Sequence, residues 1–236
     1  MKFFGVDFQA NRMDEMKQFY TEILGFLLTE QSSDHFSFQA GRTKVGFTRV
    51  PQDNMKIFYH FAFSIPENKY QEAREWVGSR VPLVLFLEED GSFSTEVHFT
   101  HWNSHSFYFL DPDQNIVEMI ARHDLPNQQH DVFHIGQVLG IDEVGLPVSD
   151  VQRSLSFARD ELGVIPWKPP TDTFAPVGDQ EGLFIFVREG RVWFGTERES
   201  TMSPVRITIL GEKNQDISVP QTPYSVMIRK NYNNPE

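Results

Sequence analysis

An internal repeat constrains the fold of this chain more than any other feature of its sequence. The segment Phe19 to Gly25, FYTEILG, recurs as Phe157 to Gly163, FARDELG, at an offset of 138 residues. In both places an alternating strand pattern precedes an amphipathic helix pattern, and short strand patterns follow the helix. A middle copy with the same order of elements begins at Phe58. Repetition of one supersecondary unit predicts an α+β protein built from βαβββ modules.

The repeats divide the chain into three parts. Residues 1–122 hold two modules, residues 123–137 form a polar linker without a clear pattern, and residues 138–236 hold a third module. Strand patterns continue towards the C-terminus without a fourth helix, so irregular strands are expected there. A third module without a partner leaves a sheet edge that needs cover, which favours a homodimer.

The composition excludes several classes of function. A net charge of −12, spread along the chain, argues against binding to nucleic acid or to an anionic membrane surface. The chain has no cysteine, so thiolate metal ligands and cysteine nucleophiles are excluded. The N-terminus lacks an apolar signal core, and no run approaches the roughly 20 apolar residues of a membrane span. We therefore expect a cytoplasmic globular protein.

The stretch from Trp102 to Arg122, WNSHSFYFLDPDQNIVEMIAR, predicts a hairpin with a carboxylate on its second strand. The cluster from Asp111 to Asn115 favours a tight turn between two strand patterns. Both faces of the second strand are largely apolar, so Glu118 is expected to be shielded from water and to need a partner.

These segments together resemble the vicinal oxygen chelate superfamily, which includes glyoxalase I, extradiol ring-cleaving dioxygenases, fosfomycin-modifying enzymes and bleomycin-binding proteins. The resemblance is carried by the βαβββ repeat, the helix end FYTEILGF, the strand HFAF and the hairpin SFYFLDPDQNIVEMI. It covers residues 3–122 as a pair of modules and residues 138 to about 196 as a further one. It implies cupped mixed sheets with helices on their outer faces and a divalent metal inside the cup.

The resemblance also implies metal ligands on the first and last strands of a module. In the second module these positions fall on His60 and Glu118, whereas the first-strand position of the first module falls on Gly5, which has no ligand side chain. The strand pattern agrees for His60, because it lies opposite the apolar row that starts with Phe61. Zinc, iron, manganese and nickel all accept imidazole and carboxylate ligands. The alternative is a hydrogen bond between His60 and Glu118 without metal.

Two further acidic residues are candidates near this site. Asp7 shares the inward face with Gly5, so it is predicted to reach the metal or the substrate, directly or through water. Glu143 takes the place of Gly5 in the third module, but the last strand of that module offers no carboxylate or histidine partner. A solvated or salt-bridged Glu143 is the expected arrangement, with a second, degenerate pocket as the alternative.

Substrate contacts are implied by the similarity of SFYFLDP to the fosfomycin-modifying branch. By this resemblance the hydroxyls of Ser106 and Tyr108 orient a substrate oxyanion, with Tyr108 as the catalytic group. Trp102, which directly precedes the hairpin, is expected to form part of the rim of the cup and to contact the substrate. The alternative for Tyr108 and Trp102 is simple packing of strand aromatics.

Two functions follow as hypotheses. The first is a metal-dependent lyase, dioxygenase or transferase that acts on a small oxygen-bearing substrate chelated by the metal. The second is a metal-free protein of the bleomycin-resistance type that binds a drug or an aromatic metabolite, and Gly5 favours it.

Overall fold

The computed structural model describes residues 1–51, 56–88 and 90–230, and in this part of the chain most strands belong to two seven-stranded sheets. In chain order the strands are β1 (Phe3–Ala10), β2 (Leu27–Gln31), β3 (His35–Ala40), β4 (Thr43–Arg49), β5 (His60–Ile65), β6 (Phe86–Leu87), β7 (Phe93–Ser94), β8 (Val97–Phe99), β9 (Ser104–Leu110), β10 (Ile116–Arg122), β11 (Gly140–Val148), β12 (Phe174–Asp179), β13 (Gly182–Arg188), β14 (Val205–Gly211), β15 (Gln215–Ser218) and β16 (Tyr224–Lys230). The first sheet has the order β15-β16-β14-β1-β4-β3-β2 and the second has the order β12-β13-β11-β5-β10-β9-β8, while β6 and β7 pair separately.

The helices show that the repeat extends to the details of the backbone. They are α1 (Met13–Gln18), α2 (Tyr70–Gly78) and α3 (Val151–Phe157), with short 3₁₀ turns at Thr100–Trp102 and Ile135–Gln137. Both α1 and α3 continue into a π-helical turn, Phe19–Ile23 and Ala158–Leu162 respectively. Each helical segment is followed by a glycine with a left-handed backbone, Gly25 at φ 77° and Gly163 at φ 67°. These glycines end the helices because a left-handed residue costs glycine little strain.

The pairing of the modules differs from the expectation that the two modules of residues 1–122 share a sheet. In the first sheet β1 pairs with β14 antiparallel, and in the second sheet β5 pairs with β11 in the same way. The C-terminal strands are regular and complete the sheet of the first module, while the third module completes the sheet of the second. The edge of the third module, which favoured a homodimer, is therefore covered by β5 of the second module in the same chain. The repeat predicts the modules, but their pairing depends on long-range contacts that the local pattern does not contain.

Both sheets are mixed and cupped, as expected, with the helices on their outer faces. One large core fills the space on the helix side and contains residues from both sheets. Phe8 of β1 stacks on Phe61 of β5 with ring centroids 4.7 Å apart, which joins the two sheets directly. The opposite face of the second sheet carries a separate, smaller group of buried side chains that includes Tyr108, Ile116 and Trp193. Among the described residues, no helix is long and apolar enough to cross a membrane.

Candidate metal centre

Three adjacent strands of the second sheet bring together one histidine and two glutamates. His60 lies on β5, Glu118 on β10 and Glu143 on β11, and β5 is hydrogen-bonded to both of the other strands. One potential ligand atom from each residue lies within 4.8 Å of the other two. The three residues are 7%, 3% and 4% exposed, respectively. The cluster is therefore buried and has the composition of a divalent-metal site.

The ring of His60 is oriented with a lone pair towards the two glutamates. Its Nδ1 lies 3.2 Å from the carbonyl oxygen of Ile116, and because a carbonyl only accepts, Nδ1 is the donor. Burial lowers the pKa of His60 to about 4, against a smaller opposite effect of this hydrogen bond, so the ring is neutral at pH 7. The remaining Nε2 is then unprotonated and lies 3.6 Å from Oε2 of Glu118. A backbone hydrogen bond of this kind is typical of histidines that bind metals.

Glu118 is buried among polar side chains as well as apolar ones. Burial raises its pKa to about 7, while the hydroxyls of Ser106 and Tyr108 and the charge of Arg122 favour the carboxylate. Tyr108 is the cross-strand partner of Glu118 on β9. Burial, followed by the charges of Glu118 and Glu143, raises the pKa of Tyr108 well above its ordinary value. Its phenol is therefore protonated and able to donate a hydrogen bond.

Glu143 is held by an arginine that lies entirely inside the protein. Arg122 ends β10 and donates to Glu143 and, at 3.2 Å, to Asp142. Burial acts to lower the pKa of Arg122, but the neighbouring carboxylates outweigh it and raise the pKa, so the guanidinium stays charged. Burial raises the pKa of Glu143 well above its ordinary value, and Arg122 counteracts part of this effect. The predicted salt bridge of Glu143 is thus present, with Arg122 as the partner.

A β-bulge allows neighbouring residues of β11 to take part in this network. The register between β11 and β5 shifts between Ile141 and Glu143, so that Asp142 is the extra residue. Asp142 is fully buried and contacts Arg122 from the same strand segment as Glu143. Bulges commonly redirect side chains next to functional sites.

The cluster holds more negative than positive charge when its acids are ionised. Glu118, Glu143 and Asp142 supply three carboxylates, Arg122 supplies one cation, and His60 is neutral. Uncompensated buried charge is costly, so protons or a cation must balance it. A divalent cation would balance the excess negative charge of the ionised cluster. The imidazole nitrogen and carboxylate oxygens of the cluster are suitable ligands for such an ion.

The structure brings most of the sequence-predicted residues to one cavity. A cavity of about 210 Å³ is lined by His60, Glu118, Tyr108 and Trp102, together with Glu143 and several apolar side chains. Ser106 lies beside Glu118, as its effect on the pKa of that residue indicates. Asp7 is on the other sheet, 3.9 Å from His35, and does not line this cavity.

Gly5 also lies on the first sheet, away from the cluster. A Cβ atom at this position would be 3.2 Å from the hydroxyl of Thr208, so the space for a side chain is restricted. Gly5 stands where the resemblance implies a ligand but offers no ligand side chain, whereas Glu143, which has the same place in the third module, lies in the cluster with His60 and Glu118. The offset of 138 residues already related Gly5 to Glu143, but the assumed module pairing placed Glu143 in a different pocket.

Sequence reasoning did not predict several residues of the site, namely Arg122, Asp142, Phe174, Arg191, Trp193 and Phe194. Trp193 packs on the ring of His60 with centroids 5.0 Å apart. The position of Arg122 at the end of an apolar strand could have indicated a buried, functional arginine. The local sequence around Arg191, Trp193 and Phe194 does not indicate that they line a cavity.

Comparison with known proteins supports this fold. Residues 4–71 match the model of the Glyoxalase/Bleomycin resistance protein/Dioxygenase superfamily. No curated protein matches the chain significantly. A mutant of glyoxalase I from Zea mays is similar in structure, with a TM-score of 0.58, 17% identity, and coverage of 97% of this chain and 92% of that one.

A candidate dioxygenase from Bacillus subtilis is also similar, with a TM-score of 0.60, 12% identity, and coverage of 97% of this chain and 85% of that one. Identities this low establish the fold and not the reaction. The chain thus has the vicinal oxygen chelate fold, and its residues 4–71 match the model of the glyoxalase, bleomycin resistance and dioxygenase superfamily.

Proposed function

We propose that this chain is an enzyme that depends on a divalent metal held by His60, Glu118 and Glu143. The observation that carries the proposal is the convergence of three buried acceptor atoms within 4.8 Å. The carbonyl of Ile116 fixes the proton of His60 on Nδ1, so Nε2 and the carboxylate oxygens face one another as lone pairs. Such an arrangement is unfavourable without a shared proton or a cation.

The surrounding residues fit a site for a small oxygen-bearing substrate. Zinc, iron, manganese or nickel would supply Lewis-acid stabilisation of an oxyanion, and iron would add the ability to activate dioxygen. Tyr108 is positioned beside Glu118 and donates a hydrogen bond to a substrate oxygen. Arg122 keeps Glu143 in place and limits its movement. We infer a reaction of the lyase, dioxygenase or transferase type, in which Ser106 and Trp102 contact the substrate.

Metal content of the purified protein tests this proposal. Elemental analysis of the wild type after incubation with zinc, iron, manganese or nickel salts should find close to one ion per chain. His60→Ala should lose most of it because a ligand atom is removed, and Glu118→Gln and Glu143→Gln should lose most of it because a neutral amide replaces each anionic carboxylate. Asp7→Asn is the matched control, since its carboxylate lies on the other sheet. A wild type that stays free of metal under these conditions would contradict the proposal.

The second candidate is a metal-free binding protein for a drug or an aromatic metabolite. The apolar walls of the cavity favour it, and so does Ile185, which takes the place in the third module that Glu118 takes in the second. Here thermal stabilisation by aromatic compounds should persist in the presence of a chelator. Loss of that stabilisation with the chelator would exclude the second candidate.

A further inference from the structure

The cavity is covered by a short hairpin that follows β13. This covering hairpin, residues 190–200, is closed by backbone hydrogen bonds from Ser200 to Arg191 at 2.8 Å and from Trp193 to Arg198 at 2.9 Å. Arg191, Trp193 and Phe194 of the hairpin line the cavity. The third module therefore supplies both a charged group and aromatic rings to the site on the second sheet.

Arg191 differs from Arg122 in having no anionic partner. Among the described residues its guanidinium forms no ion pair, and its Cζ lies over the ring of Phe174, 5.3 Å from the ring centroid. An arginine stacked on an aromatic ring keeps the N–H groups at its edge available. Those donors match the two oxygens of a carboxylate.

Arg191 is also separate from the buried acceptor cluster. It makes no salt bridge to Glu118 or Glu143, while Arg122 pairs with Glu143. Arg191 is partly exposed and the cluster is buried, so Arg191 lies nearer the solvent side of the cavity. The cavity thus has two distinct polar parts, one rich in acceptors and one with unused donors.

The rest of the lining determines the shape of the ligand. Most of it is apolar, with the aliphatic side chains of Ile120 and Ile185 and the aromatic side chains of Phe99, Trp102, Phe174, Trp193 and Phe194. The volume of about 210 Å³ is below the roughly 300 to 1,000 Å³ of pockets for drug-sized ligands. A compound with a single aromatic ring suits such walls and such a volume. Glu118 and Glu143 would repel an anionic group, so an anionic group would be directed to Arg191.

We propose that Arg191 is the anion-binding residue of this cavity and that its ligand is a small aromatic carboxylate. The assignment rests on the proposed function only for the part of the ligand that faces His60, Glu118 and Glu143. The carboxylate binds to the guanidinium of Arg191 and the ring lies between the aromatic side chains. Arg191 is therefore a residue that determines which ligands are accepted.

Calorimetric titration with benzoate and benzamide tests this inference, because the two probes have the same shape and differ in charge. Full-length wild type should bind benzoate about tenfold to a hundredfold more tightly than benzamide, as expected for a charge-assisted pair. Arg191→Met should reduce this ratio to near one, and Arg191→Lys should retain part of it. Arg188→Met is the matched control, since Arg188 is exposed and does not line the cavity.

The titrations are repeated with a chelator, because a carboxylate could also bind to the metal. Preference for benzoate that survives the chelator and disappears in Arg191→Met supports the inference. The inference is overturned if the preference for benzoate persists in Arg191→Met, or if the chelator removes it from the wild type. It is also overturned if neither probe binds. The metal content of the same samples is measured separately. If the protein is free of metal but its preference for benzoate depends on Arg191, the proposed metal-dependent function is rejected while this inference stands.

Discussion

Arg122 is the cation that pairs directly with two acids of the candidate metal centre. It is fully buried and its guanidinium pairs with both Asp142 and Glu143. The rings of Trp102 and Trp167 each have a centroid 5.5 Å from its Cζ, so the charge is also packed between aromatic side chains. Removing the charge would leave two neighbouring buried carboxylates without their ion-pair partner.

We therefore predict that Arg122→Met lowers the free energy of unfolding by about 3 to 5 kcal/mol in the presence of a chelator. Equilibrium unfolding in urea at pH 7.5 measures the change. Arg188→Met serves as the control and should change stability by less than about 0.5 kcal/mol, because Arg188 is exposed. A loss for Arg122→Met that is as small as that of the control would mean that the buried ion pairs contribute little.

At the same scale, the family resemblance implied His60 and Glu118 as neighbours, and strand alternation agreed with it for the direction of His60. Neither identified Glu143 as their neighbour, because that contact requires β11 to lie beside β5. The bulge at Asp142 is also invisible in the pattern, since one extra residue changes the register without a change in residue type.

Among the elements, the hairpin of β9 and β10 was predicted with its turn, and the structure confirms both. Asp111 organises the turn: it accepts hydrogen bonds from the backbone N–H of Asn115 at 2.9 Å and from the Asn115 amide at 2.7 Å. It also accepts from the hydroxyl of Tyr20 at 2.8 Å, which connects the hairpin to the π-helical turn of the first module. The local cluster DPDQN predicted the turn, whereas the contact with Tyr20 depends on the tertiary fold.

Asp111 should make the stability of the protein depend on pH. Burial raises its pKa to about 7, although its hydrogen bonds favour the carboxylate, and the ordinary value is 3.8. Between these values the folded state holds a proton that the unfolded state has lost, so stability falls as the pH rises from about 4 to about 7. Asp111→Asn imitates the neutral form of Asp111, so its free energy of unfolding should fall less than that of the wild type over this pH range. The difference between the two decreases is on the order of 4 kcal/mol at most.

Urea unfolding of the wild type and Asp111→Asn at several pH values between about 4 and about 8 measures this difference. The other buried acids titrate in both proteins, so the comparison isolates Asp111. Parallel pH profiles for the two proteins would contradict a raised pKa at this residue.

For the whole molecule, the sequence predicted the modules but not which modules share a sheet. Each module can pair with any other through an antiparallel contact of first strands, and the apolar patterns of β1, β5, β11 and β14 do not distinguish the combinations. The observed choice joins the first module to the C-terminal strands and the second to the third. The candidate metal centre follows from that choice, because His60 and Glu143 belong to modules that are paired.

The common core predicts that the two sheets unfold together. Phe8 of the first sheet stacks on Phe61 of the second, and Phe3 lies 5.4 Å from Phe184 across the same boundary. All four tryptophans belong to the second and third modules, so their fluorescence reports on the second sheet. Ile207 lies on β14 of the first sheet and is 1% exposed.

Ile207→Ala should therefore lower the unfolding free energy measured by tryptophan fluorescence by about 2 to 5 kcal/mol, although no tryptophan lies on its sheet. Arg206→Ala is the matched control: it is the adjacent residue, its side chain is exposed, and a change below about 0.5 kcal/mol is expected. Far-ultraviolet circular dichroism should give the same midpoint as fluorescence for each protein. An unchanged fluorescence transition in Ile207→Ala, with a separate shifted transition in circular dichroism, would show that the sheets unfold independently and that the stacked phenylalanines do not couple them.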